Sequence, residues 1–348
     1  MKIMKHLAFG AVAVALTVGI SGCGSKESKV DYSQPKVAEG AIAAIVVRPA
    51  EDTSLAQLCK QYGLGMSDLM KKAPDEKFQE IAKELELEKA KHKWIAVSLS
   101  DVSAEKIEKG KPDFAMAIAT TVDLDKVIAV AEKKLKDGKE GDEIKKTTVA
   151  NVPAYEFVKN KKSDGFAANL DKQLILVANT QSGLEKQIAL YRDGKGASAD
   201  FGSFTLGAND ILRIKAMKVG ESLKKALGEN VAMLQMVNGV IPNGDKIVLG
   251  LASAEIGIGA SSDGKNAVLD ISLNTASDAD ADKLRTAVKG QLSAITAQLK
   301  AAAEKSDEAK AQYETARSAK VEGEGKVAKL SAAAPAEPIL KLISEKIR

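Results

Sequence analysis

Short apolar and β-branched runs separated by polar turns constrain the fold of this chain more than any other feature. They include "AIAAIVVRP" (41–49), "WIAVSLS" (94–100), "FAMAIATT" (114–121) and "QLILVANT" (173–180). Runs of this length and composition are typical of strands, and the short turns between them favour antiparallel pairing. The sequence therefore predicts an α+β fold built on antiparallel sheets.

Amphipathic segments alternate with these runs and predict helices. "DLDKVIAVAEKKLKDG" (123–138) begins with acids and ends with lysines and a glycine, as the helix dipole and capping favour. Further helices are predicted at 55–62, after Pro74 up to residue 87, and at 182–192. The runs "TTVANVPAYEFV", "GFAANLD" and "QLILVANT" predict a meander that the 182–192 helix closes.

The second half of the chain repeats this order. A strand at 210–218 precedes two helices (222–227 and 231–240), the strand-like runs "KIVLGLA", "EIGIGAS" and "AVLDISL", and a long helix after Ser277. The repeated layout predicts an internal duplication with two tandem related units, each an antiparallel sheet with helices packed on one face. The predicted units span 41–200, with the extra meander, and 201–300.

The remaining residues, 301–348, are predicted to form a C-terminal helical tail. A helix to about residue 320 is followed by a mobile linker at 321–338, which is rich in Ala and Gly, and by a short amphipathic helix at 339–348. That last helix could dock on the body, on a partner or on the membrane, and docking on the body is the simplest interpretation.

Histidine and cysteine are scarce, which restricts the chemistry that the chain can perform. The histidines are His6 and His92, and the cysteines are Cys23 and Cys59. Removal of a leader would leave a single imidazole, so His-paired catalysis and His- or Cys-rich metal sites are not expected. Cys59 falls on an apolar helical pattern and is interpreted as a small buried thiol, with a reactive or intermolecular thiol as the alternative.

The charge balance gives no indication of nucleic-acid binding. The formal net charge is +4, and it falls to +2 when Lys2 and Lys5 of the leader are removed. Arginines number six and aromatic residues make up 4% of the chain. Nucleic-acid surfaces rely on arginine forks and aromatic stacking. We therefore predict no nucleic-acid partner.

The amino terminus has the organisation of a secretory signal. Lys2 and Lys5 precede an uncharged apolar stretch at 7–20, which is too short for a membrane span of about 20 residues. Small residues then lead directly to a cysteine, in the order Ile20-Ser21-Gly22-Cys23. This stretch resembles the lipobox of bacterial lipoproteins, with Ile where that family most often has Leu.

The resemblance covers about the first 23 residues, and it implies a lipidated protein. It implies diacylglycerol on the Cys23 sulfur, cleavage between Gly22 and Cys23, and acylation of the new amino terminus. Residues 1–22 would then be a cleaved signal peptide, and several acyl chains would give stable anchoring. The alternative is an ordinary cleaved signal followed by an incidental cysteine.

Residues 23–40 are polar and lack an apolar period, so we predict a lipidated flexible tether. Seventeen residues from Gly24 onward would reach at most about 60 Å. The implied location is the extracytoplasmic side of the cell membrane or of an outer membrane. The membrane, through the lipid on Cys23, and an envelope protein are the predicted partners.

Each candidate chemical motif in the sequence has a structural explanation that is simpler than a functional one. Asp278, Asp280 and Asp282 alternate as in calcium loops, but lysines stand where an EF-hand requires Gly and Glu, so helix capping explains the acids better. Ser-x-x-Lys pairs occur at a frequency expected by chance; they are Ser33/Lys36, Ser103/Lys106, Ser222/Lys225 and Ser262/Lys265. Trp94 is interpreted as a core-edge aromatic rather than a ligand stack.

The sequence thus favours a non-catalytic envelope lipoprotein that binds or organises another macromolecule, with no cofactor and no metal. The alternative is a carrier or sensor of an apolar small molecule, suggested by helices that contain Met233 and Met236, although methionine as core filler is the simpler interpretation. An enzyme would be the third choice and would have to use carboxylates and lysines alone.

Overall fold

The computed structural model describes residues 33–48, 92–101, 113–136, 142–201 and 209–337, together with positions 30, 61, 83–85, 204 and 206–207. The chain divides into two compact units with a boundary between Leu206 and Gly207, close to the predicted boundary after residue 200. Most of the predicted helices at 55–62 and after Pro74 lie outside the described residues. The same holds for Gly22, Cys23, Cys59, Ser103/Lys106 and the terminal segment 339–348.

The first unit is a mixed α+β structure built on antiparallel strands whose order in the sheet differs from their order in the chain. Its elements are β1 (Ala43–Val47), β2 (His92–Asp101), β3 (Asp113–Thr120), α1 (Leu124–Lys136), β4 (Glu143–Val149), β5 (Val152–Lys159), β6 (Lys162–Asp171), β7 (Leu174–Ala178) and α2 (Gln181–Arg192). The strand order is β1-β2-β3-β7-β6-β5-β4. The pair β1–β2, the pair β3–β7 and the meander β4–β7 are antiparallel.

Helices cover both faces of the sheet in the first unit, so the predicted one-faced arrangement is wrong there. On one face, Leu124 and Ile128 of α1 cluster with Met116 and Ile118 of β3. On the other face, Gln187 of α2 approaches Ser98 of β2. Adjacent strand residues point to opposite faces, and both sets of neighbours here are buried, which requires a helix on each side.

The meander contains one strand more than its three runs predict. "TTVANVPAYEFV" is divided between β4 and β5, which are joined at Ala150 and Asn151. Both residues have positive φ, 47° and 63°, the conformation of a two-residue type I′ hairpin turn. An Ala-Asn pair is a weak turn signal compared with Asn-Gly, and the run therefore resembles a single long strand.

The predicted tether at 23–40 is too long, because its last residues pack on the first unit. Val37 and Ala38 are 6% and 7% exposed, and Pro35 is buried as well. Ala38 forms a β-bridge with Ala197, and the Glu39 N–H donates to the Gly196 carbonyl at 2.7 Å. The packed part of this segment therefore begins at about residue 35.

The second unit contains one antiparallel sheet flanked by helices. Its elements are β8 (Asp210–Met217), α3 (Val219–Leu227), a 3₁₀ helix (Gly228–Gly239), α4 (Gly244–Leu249), β9 (Ser253–Ala260), β10 (Asn266–Asn274), α5 (Asp278–Ala302), α6 (Asp307–Ser318), β11 (Lys320–Glu322) and β12 (Val327–Pro335). The strand order is β8-β9-β10-β12-β11, and the adjacent strands are antiparallel.

"KIVLGLA" forms α4 and the turn after it, so the predicted strand is wrong. The turn residue Asn243 has a left-handed φ of 58°, and the Asp245 N–H donates to the Asn238 side chain at 3.0 Å. The hydrogen bond to Asn238 satisfies one of the first N–H groups, which have no partner inside a helix, and so favours a helix start here, although the Asn243 side chain makes no capping hydrogen bond. A short apolar run does not distinguish a strand from a buried helical turn by its periodicity.

The predicted mobile linker at 321–338 is wrong as well. Residues 327–335 form β12, which pairs along its length with β10, from Asn274↔Val327 to Asn266↔Pro335. The helix α6 contacts both α5 and β12, so the tail belongs to the second unit instead of extending from it. Small residues such as Ala332 and Ala334 carry little local strand signal, and their pairing depends on β10.

The two units share a strand connectivity. In each, the first three strands are adjacent in order, and the last strand of the unit pairs with the third, as β7 with β3 and β12 with β10. In each, a helix follows the third strand, α1 in the first unit and α5 in the second. The duplication itself stays a prediction that this connectivity favours.

Candidate functional site

The most distinctive surface of the described residues is the apolar face of the second-unit sheet. Cross-strand register aligns its side chains in rows. One row contains Ala216, Ala254, Leu273 and Ala328; the next contains Ile214, Ile256, Ile271 and Leu330; the third contains Leu212, Ile258, Leu269 and Ala332. We call this third row the outer row.

Helices cover the face at the end opposite the outer row. Ile247 of α4 and Leu284 of α5 form a buried cluster with Ala328, and Leu273 packs against it. Leu273 and Ala328 are directly paired across β10 and β12. In the first row the helices bury Ala328, while Ala216, Ala254 and Leu273 are half-buried.

The outer row is open. Ile258 is 38% exposed, and its row neighbours Leu212, Leu269 and Ala332 are all half-buried. An isoleucine in the middle of a four-strand row would normally be core, because burying such a side chain is worth about 1.5 to 3 kcal/mol. A single exposed isoleucine is common on protein surfaces, and the outer row is a candidate contact surface because the neighbours of Ile258 in the row are apolar as well.

The opposite face of the same sheet carries ion pairs, so the two faces differ clearly in polarity. The Arg213 guanidinium lies 2.8 Å from the Glu255 carboxylate, and the Lys329 ammonium lies 3.9 Å from Asp270. These residues alternate in sequence with those of the apolar rows. The sheet thus has one polar and one apolar side.

The described chain ends next to the open part of this face. The Ala336 N–H donates to the Lys265 carbonyl at 2.9 Å, and Ala336 is 1% exposed. Pro335 is paired with Asn266 at the end of β10 that lies beyond the outer row. The residues that separate this exit from the outer row are small, namely Ala260, Ala267 and Ala334.

The first unit holds the chain that leads to Cys23. The Lys36 N–H donates to the Tyr191 hydroxyl at 2.9 Å, and the Ser198 N–H donates to the Val37 carbonyl at 2.9 Å. A cleft of about 420 Å³ adjoins this contact, and it is lined by Glu39, Gly40, Lys186, Ala189, Lys195 and Gly196. Residues 36–39 are therefore held against the carboxyl-terminal end of α2 and the residues that follow it.

Trp94 and His92 lie in the interior of the first unit. Trp94 is 3% exposed and stacks on Tyr191, with ring centroids 6.0 Å apart, so it lies deeper in the core than the predicted core-edge position. His92 is buried, and neither ring nitrogen has a hydrogen-bond partner in the described part of the chain. Desolvation lowers the pKa of His92 from 6.5 to about 4, so the ring is neutral near pH 7.

The aspartates of α5 form a helix start. Ser277 is the N-cap: its hydroxyl accepts from the Asp280 N–H at 3.2 Å and donates to the Asp280 carboxylate at 2.8 Å. This hydrogen bond from Ser277 lowers the pKa of Asp280. Asp282 lies 2.5 Å from the Arg285 guanidinium. The Asp280 carboxylate therefore takes part in the cap, and the Asp282 carboxylate in an ion pair one turn along the helix.

The other candidate residues do not converge on a common site. Ser222 and Lys225 lie on α3, and Ser262 and Lys265 lie in the turn between β9 and β10, while Ser33 is exposed before the first strand. Met236 is 78% exposed, so its interpretation as core filler is wrong. The side chain of Met233 is not among those that the structure describes.

Sequence reasoning missed the outer row, although a signal for it exists. "ILRI", "IGIG" and "VLDISL" alternate apolar and other residues with a period of two, and this pattern marks one apolar face. The pattern does not show which part of that face the helices leave open. That depends on where α4 and α5 lie.

Within the described residues, no helix is long and apolar enough to cross a membrane. In the same residues, no group of three or more His, Cys, Asp or Glu side chains is arranged as a metal site.

The class that the structure defines is a mixed α+β protein built on antiparallel sheets. No protein-family model matches the sequence, and no curated protein matches it. Among solved structures, the chain is similar to crystal form I of TP0453, with a TM-score of 0.41 and 11% identity over 88% of this chain and 94% of that chain. A likeness of this degree carries no argument about function.

Proposed function

We propose that the chain is a lipid-anchored, extracytoplasmic and non-catalytic protein of the cell envelope. The observation that supports this proposal best is the attachment of residues 35–41 to the first unit, only twelve residues after the lipobox cysteine. Pro35, Val37 and Ala38 are buried, so the residues between Cys23 and Pro35 would reach at most about 40 Å. The body would lie close to the membrane surface.

Replacement of the lipobox cysteine tests the anchor. Cys23→Ala should leave the fold intact and release the protein from membranes into the soluble fraction, because the lipid supplies the membrane affinity. Cys59→Ala is the matched control and should remain in the membrane fraction. The proposal fails if Cys23→Ala still sediments with membranes after a high-salt wash.

The proposed role at the membrane is to bind or organise an envelope protein. Crosslinking in cells that express the tagged full chain, followed by mass spectrometry, should recover the same partner from independent cultures. Cys23→Ala should lose that partner if anchoring brings the two together. Failure to recover any reproducible partner would contradict a scaffolding role.

A second candidate is a carrier of an apolar small molecule, and the open outer row favours it. Apolar pockets and faces are the usual sites for such ligands. Native mass spectrometry of protein purified from membranes would show a retained molecule, and Ile258→Asp should then lose it. A spectrum of the bare polypeptide would remove this candidate.

A further inference from the structure

We propose that the groove between α5 and α6 of the second unit binds an extended acidic segment of a partner protein. The inference rests on the proposed envelope role, because it names the chemistry of the partner and the surface that contacts it. The groove is a different surface from the outer row of the sheet.

The groove lies where two helices of a hairpin meet. A turn at 303–306 joins α5 to α6, and the two helices contact each other, so they run antiparallel. Alanines at lining positions 297, 316 and 319 leave a space of about 410 Å³ between the helices. This volume falls within the range of ligand-binding clefts.

The lining of the groove carries two positive charges and no negative one. Lys300 and Arg317 line it, and both side chains are exposed. Within the described part of the chain, neither side chain has an ion-pair or hydrogen-bond partner. The acidic residues of the same hairpin, Glu304, Glu308 and Glu314, do not line the groove. The groove is therefore complementary in charge to an anionic ligand.

Arg317 differs from the other arginines that the structure describes in the second unit. Arg213 lies 2.8 Å from the Glu255 carboxylate, and Arg285 lies 2.5 Å from Asp282. The two cations of the groove each occupy the last turn of a helix, where the helix dipole favours positive charge. The dipole explains where each cation lies along its helix, but it does not require both to line one groove.

The spacing of the two cations indicates an extended ligand. Lys300 lies close to the end of α5 at Ala302, whereas Arg317 lies far from the start of α6 at Asp307. With a rise of about 1.5 Å per helical residue, the two positions are roughly 12 Å apart along the groove. An extended chain rises about 3.3 Å per residue, and every second side chain points to the same side. Carboxylates four positions apart in such a segment therefore match both cations.

Hydroxyl groups in the groove provide further hydrogen bonds. Ser293 and Tyr313 line it, and among the described residues neither hydroxyl has a hydrogen-bond partner. The Thr296 hydroxyl donates to the Leu292 carbonyl at 2.6 Å, so it is already used. The guanidinium of Arg317 can hold a carboxylate through two parallel N–H bonds, whereas a lysine acts as a point charge. Arg317 should therefore contribute most to carboxylate binding.

Fluorescence anisotropy with short labelled peptides tests the groove. The full chain carrying Cys23→Ala is titrated with a fluorescein-labelled peptide that has two glutamates four positions apart among alanines and glycines. The comparison peptide has glutamines in place of the glutamates. The glutamate peptide should bind at least tenfold more tightly at low ionic strength, and the difference should shrink as salt is added, because salt screens exposed charges.

Charge reversal in the groove should weaken this binding. Arg317→Glu should reduce the affinity at least tenfold and Lys300→Glu at least threefold, while Arg317→Lys should fall between Arg317→Glu and the unaltered protein. Lys224→Glu is the matched control, because Lys224 is an exposed residue of α3 outside the groove. It makes the same change in net charge and should alter the affinity less than twofold.

Exchange of the charges gives a stricter test. A peptide with lysines in place of the glutamates should bind the double variant Lys300→Glu/Arg317→Glu at least tenfold more tightly than it binds the unaltered protein. Circular dichroism of each variant checks that the fold is retained, as expected for exposed positions on helices.

Crosslinking in cells separates failure of the groove from failure of the envelope role. Arg317→Glu should stay in the membrane fraction and lose the crosslinked partner. A partner recovered equally from Arg317→Glu and from the unaltered protein would overturn the groove proposal and support the envelope role. Peptide binding that Arg317→Glu abolishes, without any reproducible partner in cells, would support the groove proposal and contradict the envelope role.

Other outcomes would also overturn the groove proposal. Equal binding of the glutamate and glutamine peptides would show that the groove does not recognise carboxylates. An equal loss of affinity in Lys224→Glu and Arg317→Glu would show that only the net charge of the protein matters. Binding to phosphatidylglycerol vesicles that Arg317→Glu abolishes, without binding of either peptide, would assign the groove to an anionic membrane surface.

Discussion

At the scale of single residues, His92 is the most unusual side chain of the first unit. Its imidazole is buried without a hydrogen-bond partner among the described residues, and burial lowers its pKa from 6.5 to about 4. An unpaired buried ring is tolerated only as the neutral species, because the charged form loses its hydration. Protonation of His92 in acid should therefore lower the stability of the folded protein.

His92 should make folding stability depend on pH between about 6.5 and 4. The unfolded chain takes up a proton near pH 6.5 and the folded chain only near pH 4, so the free energy of unfolding falls as the pH is lowered through this window. At pH 4.5 the loss should be about 2 to 3 kcal/mol relative to pH 7.5. Denaturant unfolding at both pH values measures it.

His92→Leu separates this effect from that of the carboxylates, which also titrate in acid. The loss of stability between pH 7.5 and 4.5 should be smaller in the variant by about the same 2 to 3 kcal/mol. An equal loss in both proteins would show that His92 is not the responsible group.

At the scale of elements, the hairpin of β11 and β12 shows why part of the fold was not predictable from sequence. Its turn contains Gly323 and Gly325, both with positive φ, and a Cβ atom on Gly323 would collide with the Val327 carbonyl. The glycines alternate with glutamates and precede an alanine-rich stretch, a composition typical of linkers. Only the pairing with β10 makes the segment a strand.

Gly323→Ala should therefore destabilise the protein. With φ of 121°, an alanine is strained and its Cβ forces the hairpin to shift, so we expect a loss of about 1 to 3 kcal/mol in the free energy of unfolding. Gly290→Ala is the matched control, because Gly290 lies inside α5 with nothing within 4 Å of an added Cβ. It should gain about 0.5 to 1 kcal/mol, since alanine is the better helix former.

Chemical denaturation of both variants gives the comparison. A neutral Gly323→Ala would mean that the turn relaxes without cost and that β11 and β12 are held by pairing alone. Loss of stability in both variants would instead point to a general intolerance of substitution.

At the scale of the whole molecule, the segment that precedes β1 packs on the first unit. The predicted tether was too long because its polar composition conceals Pro35, Val37 and Ala38, which are buried on the first unit. Whether such small apolar residues pack depends on a site for them. Tyr191 and the 196–198 strand segment supply that site through hydrogen bonds to Lys36, Val37 and Glu39.

This attachment should be visible in limited proteolysis of the native protein. Trypsin should cleave slowly after Lys36, whose backbone is held by Tyr191 and flanked by the buried Val37. Tyr191→Phe removes the hydroxyl and should accelerate that cleavage severalfold, since a hydrogen bond of this kind is worth about 1 kcal/mol. Mass spectrometry of the early fragments provides the measurement.

Cleavage after Lys161, which lies in the exposed turn between β5 and β6, serves as the internal reference and should be unchanged. Rapid cleavage after Lys36 in the unaltered protein would contradict the attachment and restore the longer tether.

The sequence by itself determined the features that depend on neighbouring residues. These are the strand periodicity of β1 to β3, the helix starts at Asp123 and Ser277, and the scarcity of His and Cys. Such features follow from local backbone geometry, side-chain alternation and capping, which act over a few residues.

The tertiary structure alone decided which surfaces are buried and which remain open. It placed helices on both faces of the first sheet, made β12 from an alanine-rich stretch, turned "KIVLGLA" into α4 and left Ile258 exposed. Each of these outcomes depends on contacts between residues far apart in the chain. The free energy of burial depends on both of the surfaces that come into contact, so the sequence of one segment does not determine it.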